Sequence, residues 1–486
     1  MNWLVNVPPA GIIYRQLYFL QLENYNLSRF VLTLPASYRL SAPMRQEIVW
    51  TAKMALVANA AFFVEIVAAS AVGLFGGASA LSAVLIALLS LVAFFFFHFV
   101  FLIVAVILIS PLDTLAKRRI VASAREKLAG MPVLTVVAVA GSYGKTTMKE
   151  ALVSVLSRKF RTLATPGNVN TPVGISRVIL ADLVPGTEVF IVEMGEHYPG
   201  DLAALAKLAA PDIAVVTGAN EAHLERFGTM EQLIAGIFEA VTGTKETGRA
   251  VLNADDARIS EHAPAYVGKR TVSWYSSRND PRSPFSAADV SFRNDGSGFS
   301  FTLREKGAEI GRFTTPLLGA YAIGVAEACV LVGRHLGMRD DDIERGFKDL
   351  KPVPHRLQVV PSENGILVID DSYNGNPEGA RAAVEVLGRF SGRRKIYVTP
   401  GLVESGAGAE AVHRELGRAL ASVADVAVLI RNSVTPFIAD ELVRHGFPKE
   451  RIHWFSGALE AHAAIPEIVK PGDVILFQND WPDNYA

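Results

Sequence analysis

The sequence predicts an α/β protein in three parts: an N-terminal two-helix transmembrane hairpin, a central parallel-sheet domain of the P-loop kind, and a C-terminal Rossmann-like α/β domain. Three observations carry this. Leu81 to Ile109 contains no charged residue, which suits a membrane span. The β-branched run Val136-Val-Ala-Val-Ala140 leads straight into Gly141-Ser-Tyr-Gly144-Lys145-Thr146-Thr147, a strand feeding a glycine-rich turn. From Met131 onward, short apolar strands alternate with helical segments, as in a parallel sheet.

Composition narrows the field. The chain has 486 residues, enough for two or three domains with sizeable cores. A net charge of −1 argues against a polyanion-binding surface, so no nucleic-acid partner is expected. The single cysteine, Cys329, excludes a disulfide framework and a cysteine-based zinc site, and fits a reducing compartment.

Taken in chain order, residues 1–46 form an N-terminal cytoplasmic or interfacial segment, with an amphipathic interfacial helix expected over Ile12–Leu20. Residues 47–110 form the hairpin. Met54–Phe75 is interrupted only by Asn59 and Glu65, and Gly76-Gly77-Ala78-Ser79 is a turn too short to hold a domain. Two spans starting this far into the chain are not a cleavable signal peptide. Arg39, Arg45 and Lys53 precede the first span and Lys117-Arg118-Arg119 follow the second, while the turn carries no charge. The positive-inside rule then puts both ends in the cytoplasm, which predicts a multi-pass protein of the cell (inner) membrane with its soluble domains cytoplasmic. Glu65 reads equally as a functional carboxylate, a helix–helix contact or a protonated acid.

A basic linker with a short helix is expected over 111–130. It leads to the central domain at 131–315, followed by the C-terminal domain at 316–486. The loop after Ala140 presents backbone N–H groups and a helix N-terminus to an anion. Lys145 can reach β/γ-phosphates, and the Thr146 hydroxyl is placed to ligate Mg²⁺. The usual pattern wants glycine at 139, where this chain has Val139, so the match is the short form G-x-x-G-K-T-T. A glycine-rich turn with an exposed lysine is the alternative; the strand before and helix after favour nucleotide phosphate. Glu188–Val192 and Ile213–Thr217 read as further strands. Ligands on parallel sheets sit at the carboxyl ends of strands, where Glu193 and the segment Asn220-Glu221-Ala222-His223 fall. Glu193 suits Mg²⁺; His223 reads either as holder of a second metal or as a hydrogen-bonded surface residue.

Five segments then occur in one order: Gly141–Thr147, Thr165-Pro-Gly-Asn-Val-Asn170, Val192-Glu-Met-Gly195, His223-Leu-Glu-Arg-Phe-Gly228 and Asn253-Ala-Asp-Asp256. In order and spacing they resemble the Mur ligase family, most of all its branch that adds D-Ala-D-Ala to the UDP-N-acetylmuramoyl tripeptide. Val353-Pro-His-Arg-Leu357 and Asp370-Asp-Ser-Tyr-Asn-Gly-Asn-Pro377 are similar to the start of that family's C-terminal domain. The resemblance implies an ATP- and Mg²⁺-dependent amide ligase in which a substrate carboxylate is phosphorylated and an amine attacks the acyl phosphate. It implies catalytic roles for Lys145, His223 and Arg356. Nucleotide contacts would come from Gly141, Gly144, Lys145, Thr146, Thr147, Asn220, Asp370, Tyr373 and Asn374, and metal contacts from Thr146, Glu193 and His223. The partners it implies are ATP, a carboxylate donor and a peptide or amino-acid acceptor; the two apolar spans add the membrane, and the two together point to an envelope-synthesis complex.

The chain departs from the family at four places. The A-K-x-E-like segment, whose lysine is often carbamylated, reads Ala235-Gly-Ile-Phe-Glu239, with Glu239 as the stand-in anionic ligand. The adenine-contact segment reads Gly319-Ala-Tyr-Ala-Ile-Gly-Val325, without its histidine or asparagines. Gln478-Asn-Asp-Trp481 replaces a K-G-S-R-like segment. The usual N-terminal sugar-nucleotide domain is not recognisable, and the hairpin stands in its place. Two other functions stay open at this level: a catalytically degenerate nucleotide-binding scaffold of an envelope complex, and a poly-γ-glutamate-type polymer ligase. An ATP-powered transporter subunit is disfavoured, because two spans make no pathway.

Overall fold

The computed structural model describes residues 10–39, 48–196, 198–221, 224–360, 362, 364–373, 375–402 and 408–479. The chain divides into two units, Met1–Arg119 and Ile120–Ala486, each described by itself.

The first unit is helical: α1 (Ala10–Leu22), α2 (Leu27–Ser37), α3 (Ala52–Gly76), α4 (Ala80–Phe96) and the start of α5 (His98–Ala129). The helix expected over Ile12–Leu20 forms as α1, with its apolar face packed against side chains of α3 and α5. The second arm of the hairpin is not one helix. It breaks at Phe97, and α5 then continues without interruption through the segment expected to be a basic linker. Antiparallel packing of α3 on α4 brings their backbones close at the turn: a Cβ on Gly73 would stand 2.4 Å from the Ala83 carbonyl oxygen. At the other end Lys53 pairs with Asp113 at 2.8 Å, and Lys117 joins it at 2.9 Å. Between these ends, fully buried Glu65 hydrogen-bonds His98 Nδ1 at 2.9 Å, just past the break. That gives Glu65 a helix–helix contact. Helices α3 and α5 are each long and apolar enough to cross a membrane. Helix α4 buries no residue, and Phe63, Phe75, Leu81 and Leu89 face outward.

In the second unit β1 (Thr135–Ala140), α6 (Lys145–Leu156), β2 (Thr162–Ala164), α7 (Pro172–Asp182), β3 (Val189–Glu193), α8 (Asp201–Ala209) and β4 (Ile213–Val216) come first. They are followed by α9 (Leu224–Phe227), α10 (Met230–Thr242), β5 (Arg249–Asn253), α11 (Ala257–Tyr266) and β6 (Thr271–Tyr275). The strands form one parallel sheet in the order β2-β3-β1-β4-β5-β6. β1 is central and buried on both faces, which is why it reads as a continuous apolar run. Its side chains still alternate: Val137 and Val139 enter the core beneath α6, while Val136, Ala138 and Ala140 enter the core shared with α7, α8 and the end of α5.

An antiparallel sheet of β7 (Phe285–Phe292), β8 (Phe299–Glu305) and β9 (Ala308–Thr315) follows, then α12 (Tyr321–His335) and α13 (Asp340–Lys348). Both helices share a core with β1 and α6 that extends to Val353. The packing boundary therefore lies downstream of the expected 316, because the apolar periodicity of α12 carries no mark of which sheet it serves. Beyond it stand β10 (Gln358–Val360), β11 (Leu367–Asp371), α14 (Pro377–Arg389), β12 (Lys395–Thr399), α15 (Ala409–Ala421) and β13 (Val426–Ile430). The chain continues through α16 (Thr435–Arg444), β14 (Ile452–Phe455), α17 (Ala458–Ile468) and β15 (Val474–Gln478). This second sheet runs β10-β11-β15-β12-β13-β14, parallel except for β10. It is the expected open α/β sheet with helices on both faces.

Candidate active site

The loop after β1 is built for close backbone approach. Gly141 has φ +131°, and a Cβ there would lie 2.4 Å from Thr217 Oγ1, so only glycine fits. Val139 is the last but one residue of buried β1, so the turn is tight and the short form of the motif holds. Gly144 caps α6 in the left-handed region (φ +74°) with no side-chain hydrogen bond, leaving the first N–H groups of the helix for a ligand. Thr217 Oγ1 donates to the carbonyls of Ala140 and Tyr143, tying the loop to β4. The Tyr143 hydroxyl donates to Asp256 at 2.9 Å, and Asp256 also accepts from Ala219 N–H and caps α11. The Asn253–Asp256 segment thus braces the loop from behind.

Lys145 is not an exposed loop lysine. Its Nζ donates to the Gly141 carbonyl and lies 3.1 Å from both carboxylate oxygens of Glu196, which is itself buried. Burial holds the Glu196 carboxyl above its usual range, with Lys145 pulling the other way. Thr146 is half-buried and Thr147 buried in the first turn of α6. One turn on, fully buried Lys149 donates to the carbonyls of Thr165 (2.9 Å) and Gly167 (2.6 Å) and lies 3.5 Å from Glu193 Oε2. Glu193 ends β3, and that Oε2 has no hydrogen-bond partner. Buried Asn220, past the end of β4, reaches Glu378 Oε2 (2.5 Å) and Asn376 Oδ1 (3.3 Å) at the N-terminus of α14. His223 lies outside the described residues. Glu239 accepts the Ala203 N–H at 2.9 Å, capping α8.

The second sheet contributes from the far wall. Asn168 donates to the Tyr373 hydroxyl at 2.7 Å, so two contacts, this one and that of Asn220, join the strand ends of the two sheets. Arg356 stacks over the Tyr373 ring with its guanidinium carbon 4.8 Å from the centroid, and donates to the Tyr373 carbonyl at 2.6 Å. His355 and Leu357 on either side of it have φ +58° and +46°, a left-handed turn that holds Arg356 out of the chain path. Of the adjacent acids, Asp370 turns to His355 Nδ1 at 2.7 Å, and Asp371 accepts the Leu357 N–H at 3.1 Å and faces Arg356 and Tyr321. Asn374 lies outside the described residues. Burial pushes the Asp371 carboxyl up to about 7, against the pull of Arg356.

Asp371 gives a pH signature. Its carboxyl holds a proton to about pH 7 when folded, but only to its ordinary value of 3.8 when unfolded. The stability this group contributes is complete below the unfolded value and is lost as pH rises through about 7. Asp371→Asn should flatten that decline in denaturant melts between pH 5 and 8. An unchanged slope would assign the titration elsewhere.

Most expected site residues converge: Gly141, Gly144, Lys145, Thr146, Thr147 and Glu193 on one wall, Arg356 and Tyr373 on the other, with Asn220 bridging. Asp370 pairs with His355, while its neighbour Asp371 faces Arg356. Sequence reasoning passed over Glu196, Lys149, Asn168, Tyr321 and Asp371. A signal existed for Asp371, since consecutive strand residues face opposite sides and only one of the pair can enter the crevice.

Residues 139–333 match the family model described as Mur ligase middle domain, and residues 355–478 the one described as Mur ligase, glutamate ligase domain. The UDP-N-acetylmuramoyl-tripeptide--D-alanyl-D-alanine ligase of Bacillus subtilis is 30% identical over 344 residues, covering 71% of this chain and 72% of that protein. Its Escherichia coli counterpart is 33% identical over 284 residues, covering 58% and 61%. The crystal structure of the MurF ligase of Thermotoga maritima in complex with ADP superposes with TM-score 0.65 and 30% identity over 75% of this chain and 80% of that chain. Fold, phosphate loop and facing C-terminal sheet define an ATP-dependent acid–amino-acid ligase. The chain belongs to the Mur ligase family, whose members use ATP and Mg²⁺.

Proposed function

We propose that this chain is a membrane-anchored ligase that joins the carboxylate of a cell-envelope peptide precursor to an amine, D-Ala-D-Ala or a closely related one. The observation that carries the reading is the convergence of the phosphate loop with Arg356 and Tyr373 of the second sheet, on a chain whose first unit is apolar helices. The residues fit Mg²⁺-ATP: the first N–H groups of α6 are uncapped, Gly141 lets the loop lie close against Thr217 and Gly218, and Glu193 Oε2 is a buried acceptor with no hydrogen bond, 3.5 Å from Lys149. Bound Mg²⁺ would neutralise phosphate charge, with Thr146 and Glu193 as its protein ligands.

The chain's own residues then have distinct tasks. The α6 N-terminus and Lys145 hold the β/γ-phosphates, and Arg356 adds positive charge from the opposite wall as the γ-phosphoryl moves to the substrate carboxylate. ADP leaves. The amine attacks the acyl carbon, a C–N bond forms, phosphate departs with the C–O bond, and the amine gives up a proton. Asn168 and Asn220 tie the walls together so that phosphoryl donor and acceptor are held in line.

Phosphate release from purified protein with ATP and Mg²⁺ tests this. Release should depend on an added tripeptide precursor together with D-Ala-D-Ala, and the amide product should be detected by mass. Acceptor-independent or absent turnover would favour the scaffold reading.

The membrane part rests on α3, α5 and the outward apolar side chains of α4, a surface that water would not tolerate over this extent. With both charged ends cytoplasmic, a cysteine at exposed Ala78, in a Cys329→Ser background, should react with an impermeant thiol reagent on intact cells. One at exposed Ser123 should not. Ala78 is the better reporter of the turn, because Ser79 caps α4. Labelling at 123 alone would invert the topology.

A further inference from the structure

The nucleotide reading gives no task to Glu196, yet this carboxylate is the chief partner of the lysine that reading depends on. Glu196 is 1% exposed, and both its oxygens lie 3.1 Å from Lys145 Nζ. Three residues earlier Glu193 is also buried, and its Oε2, 3.5 Å from Lys149, makes no hydrogen bond. Two carboxylates and two lysines therefore share the end of β3 and the start of α6. The lysines have different freedom. Lys149 is fixed by the Thr165 and Gly167 carbonyls, whereas Lys145 is held by one carbonyl and Glu196.

A lysine that turns to the phosphates of ATP must loosen its hold on Glu196. A carboxylate buried to this degree cannot be left as a lone charge, because the desolvation cost is several kcal/mol. It also stands beside a second carboxylate and incoming phosphates, all negative. The ion that travels with ATP is the available replacement: a divalent cation that Thr146, on the first turn of α6, would help to hold. We infer that Glu196 is a second acidic metal-binding group of this site, exchanging Lys145 for the divalent cation and so making nucleotide binding conditional on metal. It would supply the anionic ligand that the Ala235–Glu239 segment lacks, a task Glu239 does not perform because it caps α8.

The inference rests on the nucleotide assignment of the loop, and binding measurements on the full-length protein separate the two. ATP affinity is measured by titration calorimetry in excess EDTA and again in excess Mg²⁺. The parent should bind metal-free ATP weakly and Mg²⁺-ATP well. Glu196→Gln removes the charge, so metal-free ATP should bind at least about tenfold more tightly than to the parent, equivalent to ~1.4 kcal/mol. The gain from Mg²⁺ should shrink in proportion. Glu196→Asp keeps the charge and should keep the parent's discrimination. Glu196→Ala supplies a second neutral variant should the amide not fold. An unchanged ratio of the two affinities in both neutral variants overturns the inference and leaves the nucleotide site standing. A parent that binds no ATP under either condition overturns both.

Discussion

Lys145→Ala should reduce ATP turnover by at least about 10²-fold, the scale on which removal of one preorganised charge donor acts. The side chain is 14% exposed and leaves the first turn of α6, where the uncapped helix end and the Gly141 turn already concentrate positive potential. The variant should fold, but not without cost. Removing one member of a buried pair leaves Glu196 without its cation, and the carboxyl will take up a proton. Thermal stability should therefore fall in Lys145→Ala and recover in Lys145→Ala combined with Glu196→Gln, while turnover stays lost in both. This separates chemistry from packing. Substantial turnover in either variant would remove Lys145 from the phosphate-binding role, and an unrecovered melting temperature would mean that the Lys145–Glu196 pair is not what the single variant breaks.

The loop, the strands around it and the far wall were legible for a physical reason: each rests on local pattern. Val136–Ala140 is a buried strand by its β-branched run, Gly141 and Gly144 are glycines that backbone geometry demands, and Arg356 sits in a turn strained at both neighbours. What escaped reading depends on partners distant in sequence. Glu196 looks like any loop acid until Lys145, 51 positions away, is placed against it. Lys149 resembles a surface lysine on a helix, yet the Thr165 and Gly167 carbonyls draw it into the core. In the doublet Asp370–Asp371 the sequence shows two equal acids, and only the register of β11 against β10 sends one to His355 and the other to Arg356. The helix break at Phe97 is hidden because Phe94 to Phe101 is apolar throughout except for His98, and no Gly or Pro marks it. Likewise α12 carries a helical period that suits either sheet, so the packing boundary moved to follow tertiary contacts.

A fragment beginning at Lys117 should be soluble, bind ATP and, with soluble precursor and D-Ala-D-Ala in excess, turn it over at the full chain's rate, yet lose activity on a membrane-borne acceptor by about 10²–10⁴-fold. The starting point matters. Ala124, with Val121 and Leu128, packs in the core of the parallel sheet beside Leu134 and Val136, so a fragment beginning at Met131 would open that core and fail for structural reasons. Starting at Lys117 keeps those side chains and discards the apolar faces of α3 and α4. All the phosphate-facing and metal-suited residues named above follow Val136, which is why turnover with soluble substrates should survive. On the proposed membrane anchoring, the loss on a membrane-borne acceptor would come from effective concentration, since a tether would confine enzyme and substrate to one surface. Raising a soluble acceptor peptide to millimolar concentration should therefore restore the fragment's rate. If the fragment binds no nucleotide although it melts cooperatively, part of residues 1–116 completes the site, and the tether is then also part of the catalytic machinery.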